Sequence, residues 1–171
     1  MAGLLVMPNT LDIDPAPHID RNVGIAYDTN MHQRIVLDTS VVVSGLRSSR
    51  GASHRVLRLI GVADFTIALS VPLVLEYEDA IKRSSAQTGL ADGDVERLIE
   101  YWCSVAHLQE IHFLWRPVLR DPNDDHVLEL AVEAGCALVV THNVRDFAGA
   151  HTFGVEAIRP GAFLRRIGGT P

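Results

Sequence analysis

Residues 34–46 read RIVLDTSVVVSGL, and the parsing of that stretch decides the fold. Ile35, Val36 and Leu37 make a short apolar run that predicts a strand buried in a sheet. Asp38 follows at once, where a charge has no packing role and is costly to bury unpaired. Its carboxylate can cap the helical turn that opens at Thr39. One oxygen can cap while the other coordinates a ligand, so a functional role is favoured here.

Outward from that stretch the chain alternates strand and helix. A helix is predicted over Ser53 to Ile60, a strand over Phe65 to Leu69, and a helix from an N-cap at Ser70 through Lys82, with Pro72 in its first turn. Asp92 is expected to cap a helix carrying Val95, Leu98, Ile99 and Trp102, and His112 to Trp115 to form a short strand. Asp121 and Pro122 open a helix through Val127, Leu128, Leu130 and Ala131 that Gly135 stops. Ala137 to Thr141 reads as a strand and Phe153 to Ile158 as a weaker edge strand. Pro160 opens a last helix through Arg166.

Strands separated by helices predict an α/β fold. Its central, mainly parallel sheet would have four to five strands, flanked by helices on both faces. In such sheets the functional crevice lies beyond the carboxyl ends of the strands. Asp38 and Asn143 both fall just past a strand. Residues 1–33 hold Pro8, Pro15, Pro17 and several acids without periodicity, so they read as a flexible or loosely docked extension to a single domain over 34–171. Met31 could serve as a later start.

A length of 171 residues suits one domain with a substantial core. The net charge of −6 argues against a general nucleic-acid coating protein, but a cluster of metal ligands is itself acidic and does not exclude a nuclease. Cys103 and Cys136 form no zinc spacing and the eight histidines no HExxH, and no Gly-rich nucleotide cradle is present. No apolar run approaches a membrane span, and Leu4 to Met7 is not a signal peptide. A reduced, cytoplasmic setting is expected.

Three further stretches put acids or an amide near element ends. In VPLVLEYEDAI, Leu73, Tyr77, Ala80 and Ile81 form the buried stripe; Glu76 borders one edge and Glu78 the other, so periodicity leaves both open. Asp121, Asp124 and Asp125 in DPNDDHVLELA exceed what capping needs. Asn143 and Asp146 follow the strand in LVVTHNVRDF, where Thr141 could bond a neighbouring carboxylate. Acids gathered in one place repel unless a cation neutralises them, and hard divalent ions favour such oxygen ligands.

These four segments, in this order, resemble the PIN-domain nuclease family, in particular VapC-like toxins of bacterial toxin–antitoxin pairs, over Arg34 to Ile167. The resemblance selects Glu76 over Glu78 and sets the third acid at Asp124, with Asp121 and Asp125 as near alternatives. It implies Mg²⁺- or Mn²⁺-dependent hydrolysis of single-stranded or structured RNA. Asp38, Glu76 and Asp124 would hold the ion, completed by Asn143 or Asp146. Many relatives carry Asp where this chain has Asn143, which leaves one or two ions open. It further implies a small antitoxin partner and a homodimer. Arg47 and Arg50, with Thr39, Ser40 and Thr141, are the candidate substrate contacts, and His54, Arg55 and Arg58 lie on the same basic stretch. A rival reading is a non-catalytic PIN-like module with a degenerate metal site. A phosphatase using Asp38 is disfavoured, because Ser40 stands where a second acid is needed.

Overall fold

A computed structural model describes residues 33–112 and 118–168. The expected extension lies outside these, apart from Gln33, which opens the first strand. Five strands form one parallel sheet: β1 Gln33–Leu37, β2 Phe65–Leu69, β3 His107–Leu108, β4 Leu138–Val140 and β5 Glu156–Ile158, in the order β3-β2-β1-β4-β5. Successive strand residues point to opposite faces. Ile35, Val36 and Leu37 are nevertheless all essentially inaccessible, as are Leu138, Val139 and Val140, so both faces of the sheet are covered. That burial is why these segments read as unbroken apolar runs.

Seven α-helices flank the sheet among the described residues: α1 Thr39–Arg47, α2 Ala52–Leu59, α3 Val71–Arg83, α4 Ser85–Thr88, α5 Asp92–Val105, α6 Asp125–Glu133 and α7 Pro160–Arg166. None is long and apolar enough to cross a membrane. Trp102 of α5 packs edge-on against Tyr77 of α3, and Phe163 of α7 edge-on against Phe65 of β2, tying helices to one another and to the sheet.

Several expectations need correcting. The third strand is His107–Leu108, paired through Ala68↔His107 and Leu69↔Leu108, so the edge forms directly as the chain leaves α5. The strand expected at His112 to Trp115 falls mostly outside the described residues, and His112 itself is not in a strand. Asp92 does not cap α5. Ala91 takes the cap position, and the Asp94 carboxylate reaches back to accept from the Ala91 N–H at 3.1 Å. Ser70 holds the N-cap position of α3, but its buried hydroxyl makes no capping bond. The helix expected from Asp121 starts as one 3₁₀ turn, Pro122–Asp124, before α6.

The chain builds β1, β2 and β3 to one side and then returns to place β4 and β5 on the other side of β1. Strand order therefore reverses between β1 and β4, the position where open parallel sheets form a crevice. Leu37 pairs with Val140 and Val140 with Ile158, so these strands end level. Asp38, Thr141 and Arg159 are the next residues on each, in a row along one edge.

Candidate active site at the carboxyl edge of the sheet

Asp38 is the N-cap of α1 by position but not by side chain. It is 5% exposed, and its Oδ2 accepts from two hydroxyls, Ser40 Oγ and Thr141 Oγ1, the latter at 2.6 Å. Both hydroxyls are held in turn. The Asn143 backbone N–H donates to Thr141 Oγ1 at 2.9 Å and the His142 N–H to Ser40 Oγ at 3.3 Å. The β4 exit thus grips the β1 exit at the point of strand reversal, and Oδ1 accepts no hydrogen bond among the described residues.

Glu76 and Glu78 part company on α3. Glu78 pairs with Lys82 one turn on, whereas Glu76 Oε2 lies 2.7 Å from His126 Nε2 of α6. That approach is an ion-pair contact rather than an aligned hydrogen bond. Burial pushes the Glu76 carboxyl up, but His126, with Thr39 close by, outweighs it and holds the group below the usual carboxylate value. Burial pushes His126 down, and the Glu76 carboxylate more than reverses this. His126 was not expected here: its partner sits on another helix, and no spacing in the sequence joins them.

The three acids at the start of α6 separate by their partners. Asp125 is buried and accepts from the Leu119 N–H at 2.8 Å and the Val118 N–H at 3.3 Å. Asp121 accepts from the Asn123 N–H at 3.0 Å. The Asp124 side chain makes no hydrogen bond among the described residues, and its carboxyl is pushed up to about 6, first by burial and then by the charges of Asp38, Asp121, Asp146 and Glu76. Asp38, Glu76 and Asp146, carried by three other segments, thus lie within electrostatic reach of Asp124. Tyr77 adds support from below, its hydroxyl donating to the Leu37 carbonyl.

Asn143 is exposed, and its carbonyl accepts from the Asp146 N–H at 2.9 Å, a turn that holds Asp146 beside the other acids. Thr39 and Ser40 are the first two residues of α1. Arg47, at the far end of α1, roughly 13 Å along the helix from its start, donates to Ser84 Oγ at 3.1 Å, and Arg50 is an exposed loop residue. Neither basic side chain is drawn toward the acids.

The donor set is all oxygen, and the displaced Asp124 carboxyl marks negative charge without a matching cation, which suits a hard divalent ion. Among the described residues, no three His, Cys, Asp or Glu side chains are grouped tightly enough to hold one as they stand. A family model described as PIN domain matches residues 34–145. No curated protein matches the chain.

Proposed function

The chain belongs to the PIN-domain family, whose members are typically nucleases that use divalent metals, and from that membership and its acid cluster we propose that it is a Mg²⁺- or Mn²⁺-dependent endoribonuclease. The observation that supports this most is the approach of Asp38, Glu76 and Asp146 to the half-buried Asp124 near the strand-reversal point. Asp38, Glu76 and Asp124 would hold the ion, with the Asn143 amide oxygen or Asp146 completing the set. When bound, such an ion eases deprotonation of an attacking water and offsets charge on the leaving oxygen. The chain's part is orientation. Ser40 and Thr141 fix one Asp38 oxygen and leave the other unbonded by them. Asp125, spent on backbone N–H groups, anchors the turn that presents Asp124.

As the toxin of a toxin–antitoxin pair, the protein would act on single-stranded or structured RNA and be silenced by a small antitoxin. Val71 and Leu75, one turn apart and exposed on α3, offer an apolar contact for that partner or for a second copy in a homodimer.

A second reading is a non-catalytic PIN-like binding module. It is favoured by Asn143 in place of an acid and by acids that do not close around an ion as they stand. One experiment separates the two. Purified protein incubated with single-stranded and transfer RNA should cleave with Mg²⁺ or Mn²⁺ and not with EDTA. Asp38→Asn should lower the rate at least 100-fold while RNA binding persists. Binding without cleavage in either ion defeats the enzymatic reading, and cleavage that survives in EDTA, or in Asp38→Asn, defeats its assignment to a metal held by Asp38.

A further inference from the structure

In this acidic chain several cations are already engaged. Lys82, Arg83, Arg97 and Arg166 each pair with a carboxylate, and Arg34 and Arg47 donate to protein oxygens. Arg145, Arg159 and Arg165 are among those that are not. Each is exposed, and none makes a side-chain hydrogen bond or ion pair among the described residues. All three line one cleft of about 790 Å³, and no carboxylate is among the described residues that line it.

The cleft adjoins the acids. Its wall includes His142 and Ser53, whose Nε2 and Oγ lie 2.8 Å apart. The His142 backbone N–H donates to Ser40 Oγ, which in turn donates to Asp38. Along the sheet edge Arg159 stands two strands from Asp38, roughly 10 Å at the usual strand spacing. A polyanion approaching a protein of net charge −6 and a cluster of carboxylates needs local positive charge to hold it. Guanidinium groups suit phosphate because their planar forks match its oxygens.

We propose that this cleft binds the phosphodiester backbone of single-stranded RNA to one side of the cleaved bond, with Arg159, Arg145 and Arg165 as its phosphate contacts. The assignment rests on the nuclease reading and adds a direction to it: the strand leaves the acids over the exits of β4 and β5, with Ser44 and Ser48 at the far end of α1 closing the other side of the cleft.

The test is fluorescence anisotropy with a labelled single-stranded oligoribonucleotide across a salt series in EDTA, which reads binding apart from cleavage. The triple variant Arg145→Gln/Arg159→Gln/Arg165→Gln should bind at least tenfold more weakly. Its slope of log K against log salt should be shallower by about 2, from about 0.7 per lost single-strand phosphate contact. Arg97→Gln, on α5 and outside the cleft, should match wild type, and Arg159→Lys should keep the slope. With Mn²⁺, the triple variant should raise KM for the oligoribonucleotide with little change in kcat, and hydrolyse bis(p-nitrophenyl) phosphate, which has no flanking phosphates, at the wild-type rate. An unchanged salt slope, or no binding by wild type, overturns the cleft assignment. So does displacement of RNA by an equal concentration of polyglutamate peptide, which would assign the cleft to an acidic protein. Normal variant binding with intact cleavage sinks the cleft alone; a weakened variant with no cleavage by wild type sinks the nuclease reading alone.

Discussion

Two hydroxyls satisfy one oxygen of the buried Asp38 carboxyl, and the same economy governs its neighbours: each acid is either matched by a donor or left to press on the others. Glu76 has His126. Because Glu76 is lowered, its stabilising contribution is present above its ordinary value of 4.5 and is lost as pH falls through the depressed value. Because His126 is raised, its contribution is complete below 6.5 and is lost as pH rises through the elevated value. The pair therefore supports the fold most between about pH 4.5 and 6.5. Both groups are partly open to solvent, which screens them, so His126→Ala should cost about 1 kcal/mol at pH 5.5 and much less at pH 8. Urea unfolding at the two pH values measures this; an equal loss at both would mean that His126 matters for packing and not for charge.

At the scale of elements, the site depends on how closely α1 and α2 approach, because α1 starts at the Asp38 turn and α2 carries the Ser53 that meets His142. Gly45 is the point of contact. A Cβ there would come within 2.6 Å of Leu57 Cδ1 and 3.0 Å of the Ser53 carbonyl carbon, and the second is backbone that does not yield readily. Gly45→Ala should destabilise by about 1–3 kcal/mol, seen as a lower urea midpoint at unchanged slope. A midpoint within error of wild type would show that the helices slide apart freely. The elements themselves were legible where burial writes a pattern: residues 35–37 of β1, 67–69 of β2 and all of β4 are apolar runs, and Gly135, at φ +65°, ends α6 where the sequence predicts a stop. The two-residue β3 has no periodicity to read and exists only by pairing with β2. Of the site, Asp38 was visible because nothing else explains a charge after Leu37. The resemblance points to Asp124 from the sequence, but the Val118 and Leu119 N–H groups that occupy Asp125, and the convergence of Arg145, Arg159 and Arg165 on the register of β4 with β5, cannot be counted along the chain.

Across the whole molecule, the fold brings like charges from four separated segments to one rim, so the metal-free protein carries repulsion that a cation should relieve. Binding of an ion to the folded state alone adds about 2.7 kcal/mol at 100 times its Kd. For a chain of this length that corresponds to a rise in Tm of roughly 5–10 °C. The Asp124 carboxyl, pushed up to about 6, sets the pH dependence. Its folded value lies above its unfolded one, so without metal its charging destabilises the fold as pH rises through that value. A proton and a cation then compete for the same oxygens. Calorimetry with saturating Mn²⁺ against EDTA should show the full rise at pH 7.5 and a smaller one at pH 5. Asp124→Asn should raise the metal-free Tm at pH 7.5 and reduce the response to Mn²⁺, and Asp38→Asn should also reduce that response. A Tm that ignores Mn²⁺ at every pH would leave the repulsion unrelieved and the rim without the ion its oxygens were taken to hold.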